Sequence, residues 1–464
     1  MSHDPVPDLL QRATDRLEAE FASLPDYHSQ SAPDLAHVAG VLETVAHRLA
    51  DNYPYFHPLY AGQMLKPPHP VARAAYALAM TVNPNNHARD GGRASTDMEI
   101  EAVRGIAAML GWGDSPGSYL GHLTSSGTIA NLEALWVAGQ LAPGRRVVAS
   151  AQAHYTHNRI SAVLQLPFAG IPTDNRGRMS LDALETELRK GDVGTVVATL
   201  GTTGVGAVDP LPQILALRAK YGFRIHVDGA YGGYFRLIPD ALDEPARQAY
   251  ALIHQADSIV VDPHKHGLQP YGCGCVLFRD PAVGRFYKHD SPFTYFTSKQ
   301  LHLGEISLEC SRAGASAVAL WATQQLLPLT PGGEFARGLA QGRAAALELA
   351  ARLRNDADSR FQLLTAGPPE LDIVVWKLSA ETPEAASQLA QQIFAACAKR
   401  DLHLALVELP LAWFGSAVSV QAADSESSGL VTCLRSVLMK PEHMAWLDRI
   451  WERFSASCAE VLGE

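Results

Sequence analysis

Short apolar runs recur between residues 146 and 278 of this 464-residue chain, and segments of helical length separate them. The runs lie at 146–149, 193–200, 223–228, 258–261 and 273–278. The intervening segments include 180–190 and 211–221. This alternation predicts an α/β fold in which helices cover a mostly parallel sheet. Such sheets bind their ligands beyond the carboxyl ends of the strands, so polar residues at these ends are the first candidates for a site.

The sequence on either side of this alternation predicts two further regions. Helical spacing of apolar residues is found at 8–22, 34–50 and 71–82. After Pro331-Gly332-Gly333, an alanine-rich helix is followed by apolar runs near 372–378, 402–408 and 430–438. We therefore predict three regions: an N-terminal helical segment over 1–90, a large domain over 91–330 and a small α+β domain over 331–464.

One helix start is indicated by a local motif. Ser95-Thr96-Asp97-Met98-Glu99 has the pattern of a capping box, in which a serine and a later glutamate satisfy free backbone N–H groups. The motif predicts a helix that begins there and ends at about Leu110.

Composition excludes several classes of function. The formal net charge is -10, and no basic block is present, which argues against a nucleic-acid partner and favours a small-molecule substrate. The six cysteines form no CxxC pair, which indicates neither a disulfide framework nor a zinc site, and the histidines lack metal-ligand spacing, so no metal is predicted. No run of eighteen apolar residues occurs, so no membrane association is expected, and we expect a cytoplasmic protein.

The run 258–261 ends in Asp262-Pro263-His264-Lys265, which places a lysine at the end of a core-type strand. A buried ammonium is costly, so such a lysine needs either a partner or a chemical role. One such role is to form a Schiff base, which requires an amine that loses its proton near neutral pH. A salt-bridged or solvated lysine is the alternative.

Other polar segments stand at comparable positions. Gly121-His122-Leu123-Thr124-Ser125-Ser126-Gly127-Thr128 precedes a helix whose N-terminus suits a phosphate, although it could be an ordinary cap. Asp228 ends the run 223–228, where it either faces a ligand or caps a loop. His154 could stack on a flat ring, and the turn that contains Thr203 could line a site; either could instead be structural.

In this order the segments resemble the group II pyridoxal-phosphate-dependent amino-acid decarboxylases, from about residue 50 to residue 440. The resemblance implies the aspartate aminotransferase-like fold (fold type I) with a seven-stranded, mostly parallel sheet, and pyridoxal 5'-phosphate as cofactor. It makes Lys265 the residue that forms the Schiff base and His264 a neighbour on the phosphate side. Asp228 would hold the pyridinium nitrogen, and Ala230 and His154 would cover the two faces of the ring. The remaining implied contacts are those of Gly127 and Thr128 with phosphate, and of Thr203 near the 3-hydroxyl group.

Different segments resemble enzymes with different substrates. The segment from His57 to Gln63 is similar to that of glutamate-type decarboxylases, and Gln63 is thus a candidate substrate-binding residue. The segments around Thr124 and Lys265 are more similar to bacterial tyrosine decarboxylases. Two small departures, Ser126 and Gly229 in place of the usual glycine and alanine, should be tolerated.

Two more residues are assigned by the resemblance. Arg435 corresponds to the arginine that binds the substrate α-carboxylate, for which a guanidinium is suited, or else it is a surface residue. Tyr295 corresponds to the loop tyrosine that protonates the carbon after CO2 leaves, with Tyr287 as a rival.

These residues predict a homodimeric enzyme that converts an L-amino acid to its amine and CO2. An aromatic, tyrosine-like substrate is slightly favoured over an acidic one. The alternatives are a carbon-carbon (aldehyde) lyase or an aldehyde-forming oxidative deaminase of the same fold, and, more remotely, a paralogue that binds a partner without catalysis.

Overall fold

The computed structural model describes residues 6–25, 34–113, 117–288, 302–364, 367–414 and 429–463. Its helices are α1 (Val6–Glu20), α2 (Leu35–Leu49), α3 (Pro70–Val82), α4 (Arg93–Leu110), α5 (Gly127–Leu141), α6 (Thr156–Val163), α7 (Leu181–Leu188), α8 (Leu211–Tyr221), α9 (Ala246–Ala251), α10 (Gly314–Leu326), α11 (Glu334–Arg354), α12 (Pro383–Ala398) and α13 (His443–Leu462). Within the described residues, none of these helices has the length and apolar character needed to span a membrane.

The large domain is built on a seven-stranded sheet. Its strands are β1 (Leu120–Thr124), β2 (Arg146–Ser150), β3 (Phe168–Ile171), β4 (Val193–Thr199), β5 (Arg224–Asp228), β6 (Ser258–Val261) and β7 (Gly274–Phe278). The spatial order is β1-β7-β6-β5-β4-β2-β3. The five strands β2 to β6 pair in parallel, whereas β7 is antiparallel to both β6 and β1. This arrangement confirms the predicted mostly parallel, seven-stranded α/β sheet.

The smaller C-terminal domain contains an antiparallel sheet of four strands. They are β8 (Phe361–Leu363), β9 (Ile373–Leu378), β10 (Ala405–Pro410) and β11 (Leu430–Val437), in the order β10-β11-β9-β8. Helix α12 packs against this sheet, and α13 packs against α11 and α12. The main hydrophobic core joins the two domains, because Ile373 and Val375 of β9 belong to the same buried cluster as Ile225 and Ile259 of the large sheet.

Strand burial explains why most sheet elements were predictable. Every residue of β4, β6 and β7 is buried, and such strands are apolar runs because helices cover both faces of a parallel sheet. The edge strands β1 and β3 were not predicted. In β1 a glycine and a histidine interrupt the apolar run, and in β3 a glycine interrupts a run of only four residues. Both strands are buried over only part of their length.

The predicted capping box is wrong. Helix α4 begins at Arg93, two residues before Ser95, and Gly92 occupies the N-cap position without a side-chain cap. Ser95 instead donates to the Asn86 side chain at 2.5 Å. Glu99 accepts hydrogen bonds from Asn86 Nδ2 at 2.7 Å and from the Leu123 amide at 3.0 Å. Both motif residues therefore serve long-range contacts that local spacing cannot reveal.

Candidate active site

The ends of β5 and β6 bring Asp228 and Lys265 to the same edge of the sheet. The two strands are parallel neighbours, with Asp228 opposite Val260, so residues just beyond their carboxyl ends are adjacent in space. Asp228 is the last residue of β5, and Lys265 lies in the turn that follows β6.

A cavity of about 650 Å³ opens at this edge. All eight residues predicted to contact the cofactor line it: Gly127, Thr128, His154, Thr203, Asp228, Ala230, His264 and Lys265. Seven further residues complete its wall: Ser126, Asn131, Thr156, Thr199, Gly201, Tyr231 and Asp262. Segments more than 130 positions apart in the sequence thus meet in one concave site.

The N-terminus of α5 forms one end of the cavity. Ser126 is the N-cap, and its hydroxyl accepts a hydrogen bond from the Ile129 amide at 3.3 Å. The first N–H groups of a helix have no intrahelical acceptor, so those at Gly127 and Thr128 are available to an anion. A side chain at position 127 would collide with the Asp262 carboxylate, because an added Cβ would lie 2.5 Å from both of its oxygens. Glycine is therefore required there for the helix to approach the turn after β6.

Asp228 is buried and is held by a histidine that the sequence reasoning did not assign. His157 Nε2 lies 2.8 Å from Asp228 Oδ2, and the Ala230 amide donates to Oδ1 at 3.1 Å. Burial alone would raise the pKa of Asp228, but the hydrogen bond from His157 and the positive charge of Lys265 outweigh it and keep the pKa well below its usual value. Asp228 therefore stays ionised in a site from which water is largely excluded.

Lys265 faces a second buried carboxylate. Its Nζ lies 3.0 Å from Asp262 Oδ2. The other oxygen, Asp262 Oδ1, is buried and has no hydrogen-bond partner among the described residues. A buried polar atom without a partner is uncommon in a folded protein, and here it marks a position where a bound group can supply the missing contact.

Two histidines flank the cavity, and burial lowers the pKa of both. His154 is half-buried, and its Nδ1 contacts the Thr156 hydroxyl. His264 Nδ1 bonds to the Cys273 carbonyl at 2.7 Å, and its ring lies 4.8 Å from that of Tyr271. Each histidine is thus fixed by a local bond and is favoured in its uncharged form.

Arg435 lies behind the cavity wall. Its guanidinium donates to the carbonyls of Thr203 at 2.7 Å, Gly204 at 3.0 Å and Gly62 at 3.3 Å. A fourth bond joins Arg435 Nη1 to Gln63 Oε1 at 3.1 Å. The described residues therefore engage four of the five N–H groups and leave one on Nη2 for a ligand. The structure brings the two predicted substrate-binding residues into contact with each other, and Arg435 also contacts the backbone of Thr203.

Of the two tyrosines predicted as alternative proton donors, the structure describes one. Tyr295 lies outside the described residues. Tyr287 is buried against Trp136, with ring centroids 5.0 Å apart, and does not line the cavity. Burial and the neighbouring Glu133 carboxylate raise the pKa of Tyr287.

His157, Asp262 and Tyr231 are the site residues that sequence reasoning left without a role. His157 lies in the first turn of α6, whereas His154 precedes this helix, and the bond of His157 to the distant Asp228 had no local signal. Asp262 contacts Lys265 three positions later in the same motif, and that spacing was a usable signal. The contact of Tyr231 with Asp372 joins distant segments and had no local signal.

The sequence matches the family model for the pyridoxal-dependent decarboxylase conserved domain over residues 41–379. An L-tyrosine decarboxylase of Enterococcus faecium is 27% identical over 419 residues, which cover 68% of this chain and 67% of that protein. A probable L-tyrosine/L-aspartate decarboxylase of Methanothermobacter thermautotrophicus is 30% identical over 69% of this chain and 84% of that protein. An L-2,4-diaminobutyrate decarboxylase of Rhizobium meliloti is 31% identical over 70% and 67%.

Solved structures share the fold. Mouse CSAD superposes with a TM-score of 0.75 at 21% identity and covers 96% of this chain and 92% of its own. Oryza sativa TDC, solved with PLP and tryptamine, has a TM-score of 0.75 at 19% identity and covers 99% of each chain.

Proposed function

We propose that this chain, which belongs to the pyridoxal-dependent decarboxylase family and is a pyridoxal-phosphate-dependent amino-acid decarboxylase, acts through Lys265. We further propose that its substrate is an aromatic, tyrosine-like L-amino acid. The products would be the corresponding amine and CO2. The observation that carries the assignment of Lys265 is the cavity in which this lysine, the ionised Asp228 and the N-terminus of α5 converge.

The residue types around the cavity fit pyridoxal phosphate group by group. The N–H groups at Gly127 and Thr128 suit its phosphate, and Asp228 suits a protonated ring nitrogen. Lys265 Nζ is the amine that would hold its aldehyde carbon. Asp262, whose Oδ1 has no hydrogen-bond partner among the described residues, also lines the cavity.

When bound, the cofactor supplies an electron sink for the electron pair left by the departing carboxyl group. The protein residues supply orientation and charge. His157 keeps Asp228 anionic, so that Asp228 can hold a proton on the ring nitrogen. We propose that His154 and Ala230 enclose the ring, which fixes the direction in which the scissile bond points. The free Nη2 hydrogen of Arg435 would bind one substrate carboxylate oxygen.

The charge of the cavity supports an aromatic over an acidic substrate. Apart from histidines, Lys265 is the one cationic side chain among the described residues that line it. A second carboxylate on the substrate would need a further cation, which no other described lining residue supplies. Tyr271, an exposed aromatic side chain stacked on His264, gives a flat apolar surface beside the cavity.

Product analysis tests the proposal. The purified protein, supplied with pyridoxal phosphate, is assayed for amine and CO2 release from each of the twenty amino acids and from L-2,4-diaminobutyrate. We expect tyrosine or another aromatic amino acid to give the highest kcat/KM. A preference for aspartate, glutamate or diaminobutyrate would reject the aromatic assignment and leave the family unaffected.

Labelling tests the role of Lys265. Borohydride reduction followed by peptide mapping should place the pyridoxyl group on Lys265, and Lys265→Ala should abolish both the label and amine release. Recovery of the label on Lys288 or Lys299 would overturn the assignment.

We further propose that the enzyme is a homodimer. The apolar side chains of α2 are exposed in the single chain: Leu35, Val38, Val41, Leu42, Val45 and Leu49. A contiguous apolar face of this kind is uncommon on a monomer and suits a second copy of the chain. Light scattering should give twice the chain mass for the parent protein, and Leu42→Glu with Val45→Glu should lower it to one chain.

We also propose a cytoplasmic location. All six cysteines are free thiols, which is the usual state in a reducing compartment. Fractionation of the native host tests this, since recovery from the exported fraction would contradict it.

A further inference from the structure

Asp372 is a buried carboxylate at the boundary between the two domains. It is 1% exposed and directly precedes β9 of the small domain. Its Oδ1 accepts a hydrogen bond from the Tyr231 hydroxyl at 2.5 Å, and its Oδ2 lies 3.4 Å from His266 Nε2. One side chain of the small domain therefore contacts two segments of the large domain.

Both segments carry residues of the proposed cofactor site. Tyr231 follows Asp228-Gly229-Ala230 and lines the cavity itself. His266 follows Lys265 directly in the chain. The rings of Tyr231 and His266 also contact each other, with centroids 4.6 Å apart at 61°. Asp372 thus contacts the neighbours of Lys265 and Ala230 rather than the cavity.

The groups that face Asp372 are Tyr231 and His266 by contact, and Lys66, Arg435 and Tyr250 through their electrostatic interaction with it. Burial raises the pKa of Asp372 to about 6, and Tyr231, Lys66 and Arg435 oppose this rise. Burial, with the charges of Lys66 and Lys265, lowers the pKa of His266 well below its usual value, so His266 is uncharged. Asp372 is consequently ionised at neutral pH although its surroundings disfavour the charge.

An ionised Asp372 lowers the stability of the fold. A carboxyl group whose pKa is higher in the folded than in the unfolded chain contributes its stabilisation at low pH, and this is lost as the pH rises through the folded value. An asparagine of the same shape could accept the Tyr231 hydrogen bond without carrying the charge. Fold stability therefore does not explain the carboxylate.

We propose that Asp372 is a positioning residue for the reaction: its carboxylate holds Tyr231 by a hydrogen bond and packs against His266, whose ring nitrogens make no hydrogen bond within the described residues, and it thereby positions the backbone that carries Asp228 and Lys265. The inference rests on the proposed roles of Asp228 and Lys265. Asp372 adds a second charged contact, besides Arg435, between the small domain and the site, and its loss would misplace groups that must be aligned closely for catalysis.

The test compares Asp372→Asn, which removes the charge and can keep the hydrogen bond, with Tyr231→Phe, which removes the hydrogen bond and keeps the charge. Asp257→Asn is the matched control, because Asp257 lies at the other edge of the sheet, where it accepts from the Ile225 amide and Arg279 at 2.8 Å each. Three quantities are measured for each holoenzyme: Tm at pH 8, the pH dependence of the absorbance band of the bound cofactor, and the pH profile of kcat/KM.

For Asp372→Asn we expect a Tm at pH 8 that equals or exceeds that of the parent, with kcat/KM lowered roughly tenfold to hundredfold, the cost of misplacing catalytic groups slightly. The parental decline of kcat/KM below about pH 6, where Asp372 becomes protonated, should be absent from the variant. The pH midpoint of the cofactor band should shift in Asp372→Asn and Tyr231→Phe. In Asp257→Asn, Tm should fall while both profiles stay parental.

Parental pH profiles and a parental cofactor band in Asp372→Asn would overturn the inference, as would a lowered Tm with unchanged kinetics. If Asp372→Asn does not fold, Tyr231→Phe decides: parental profiles in that variant reject the inference. A covalent label found away from Lys265 would instead refute the proposed function, so the two failures are distinguishable.

Discussion

His157 Nε2 lies 2.8 Å from Asp228 Oδ2, and both side chains are buried at the base of the cavity. The bond requires the hydrogen of His157 to be on Nε2, because the carboxylate can only accept. The other ring nitrogen, Nδ1, is buried with no hydrogen-bond partner among the described residues. Among the described residues, Asp228 is therefore the hydrogen-bond partner that orients the imidazole, and His157, with Lys265, keeps Asp228 ionised.

Two replacements of His157 should distinguish the effect of its hydrogen bond from the effect of its volume. In His157→Phe the donor is lost, so the pKa of Asp228 should rise and kcat/KM should fall about 10- to 100-fold, the equivalent of a hydrogen bond to a charged group. In His157→Gln, whose amide can donate, most of the activity should remain. Steady-state kinetics and the pH titration of the cofactor absorbance band check this. Equal losses in both variants would contradict a role through the hydrogen bond.

Arg435→Lys should weaken both the substrate contact and the backbone around the site. A lysine cannot replace four hydrogen bonds made in a fork, and buried carbonyls left without a donor cost about 1–3 kcal/mol each. We expect KM to rise strongly, the free energy of unfolding to fall by at least about 2 kcal/mol, and cofactor affinity to change little. Gln63→Ala is the control, because it removes only the bond to Nη1. Unchanged kinetics in Arg435→Lys would remove Arg435 from the substrate site.

Tyr295→Phe and Tyr287→Phe distinguish the two tyrosines. If Tyr295 protonates the substrate carbon after CO2 leaves, its phenylalanine variant should release amine about 10²–10⁴-fold more slowly. Ammonia and aldehyde, formed with oxygen, should rise in its place. Tyr287→Phe should retain the amine rate, because Tyr287 packs against Trp136 away from the cavity. Parental amine release by Tyr295→Phe would show that the proton has another source.

Glu99 holds a buried ion pair that should dominate the stability of its region. Its carboxylate accepts from Arg312, from Asn86 and from the Leu123 amide, and all of these groups are buried. Glu99→Gln leaves Arg312 without a counter-charge, which should lower the free energy of unfolding by about 3–5 kcal/mol. The double variant Glu99→Met/Arg312→Met should lose less free energy of unfolding than the sum of the losses in Glu99→Met and Arg312→Met. Denaturant titration measures both, and strict additivity would argue against a coupled pair.

His226 predicts a pH dependence of stability. Burial first, and then nearby positive charge, lowers its pKa to about 3, while Ser258 and Asn131 bond its two nitrogens at 2.9 and 2.7 Å. A histidine with a lowered folded pKa contributes stability above about pH 6.5, and this is lost as the pH falls toward the folded value. Between pH 7 and pH 5 the parent should therefore lose about 2 kcal/mol more than His226→Gln. Urea titrations at both pH values test the difference, and parallel losses would refute it.

The predictable part of the fold was the part in which local sequence and burial coincide. The run 258–261 was predicted with the same bounds as β6, because a strand covered on both faces must be apolar throughout. The strand Leu120–Thr124 was missed because His122 stands where an apolar residue is expected, and its Nε2 is satisfied by Glu133, 11 positions away, at 3.0 Å. Periodicity carries no information on such a pair.

The candidate site shows the same division. Three site residues stand at strand ends or at a helix start, where ligands bind in this class of fold: Lys265, Asp228 and Gly127. A sequence motif identifies each of them. The partners of Arg435 are backbone carbonyls from residues 62, 203 and 204, and their convergence depends on how the small domain packs on the large one. No spacing within a single segment could have predicted it.

The position of β1 has a consequence for biosynthesis. Among the described strands β1 pairs with β7 alone, and the register joins Thr124 to Gly274. At about 5–20 residues per second, the ribosome needs roughly 8 to 30 s to deliver that partner. Until β7 emerges, β1 has no described strand to join, and the five parallel strands can assemble only once β6 has been made, shortly before Gly274. The strand that leads into the phosphate end of the pocket is therefore made first and added to the sheet after the parallel strands.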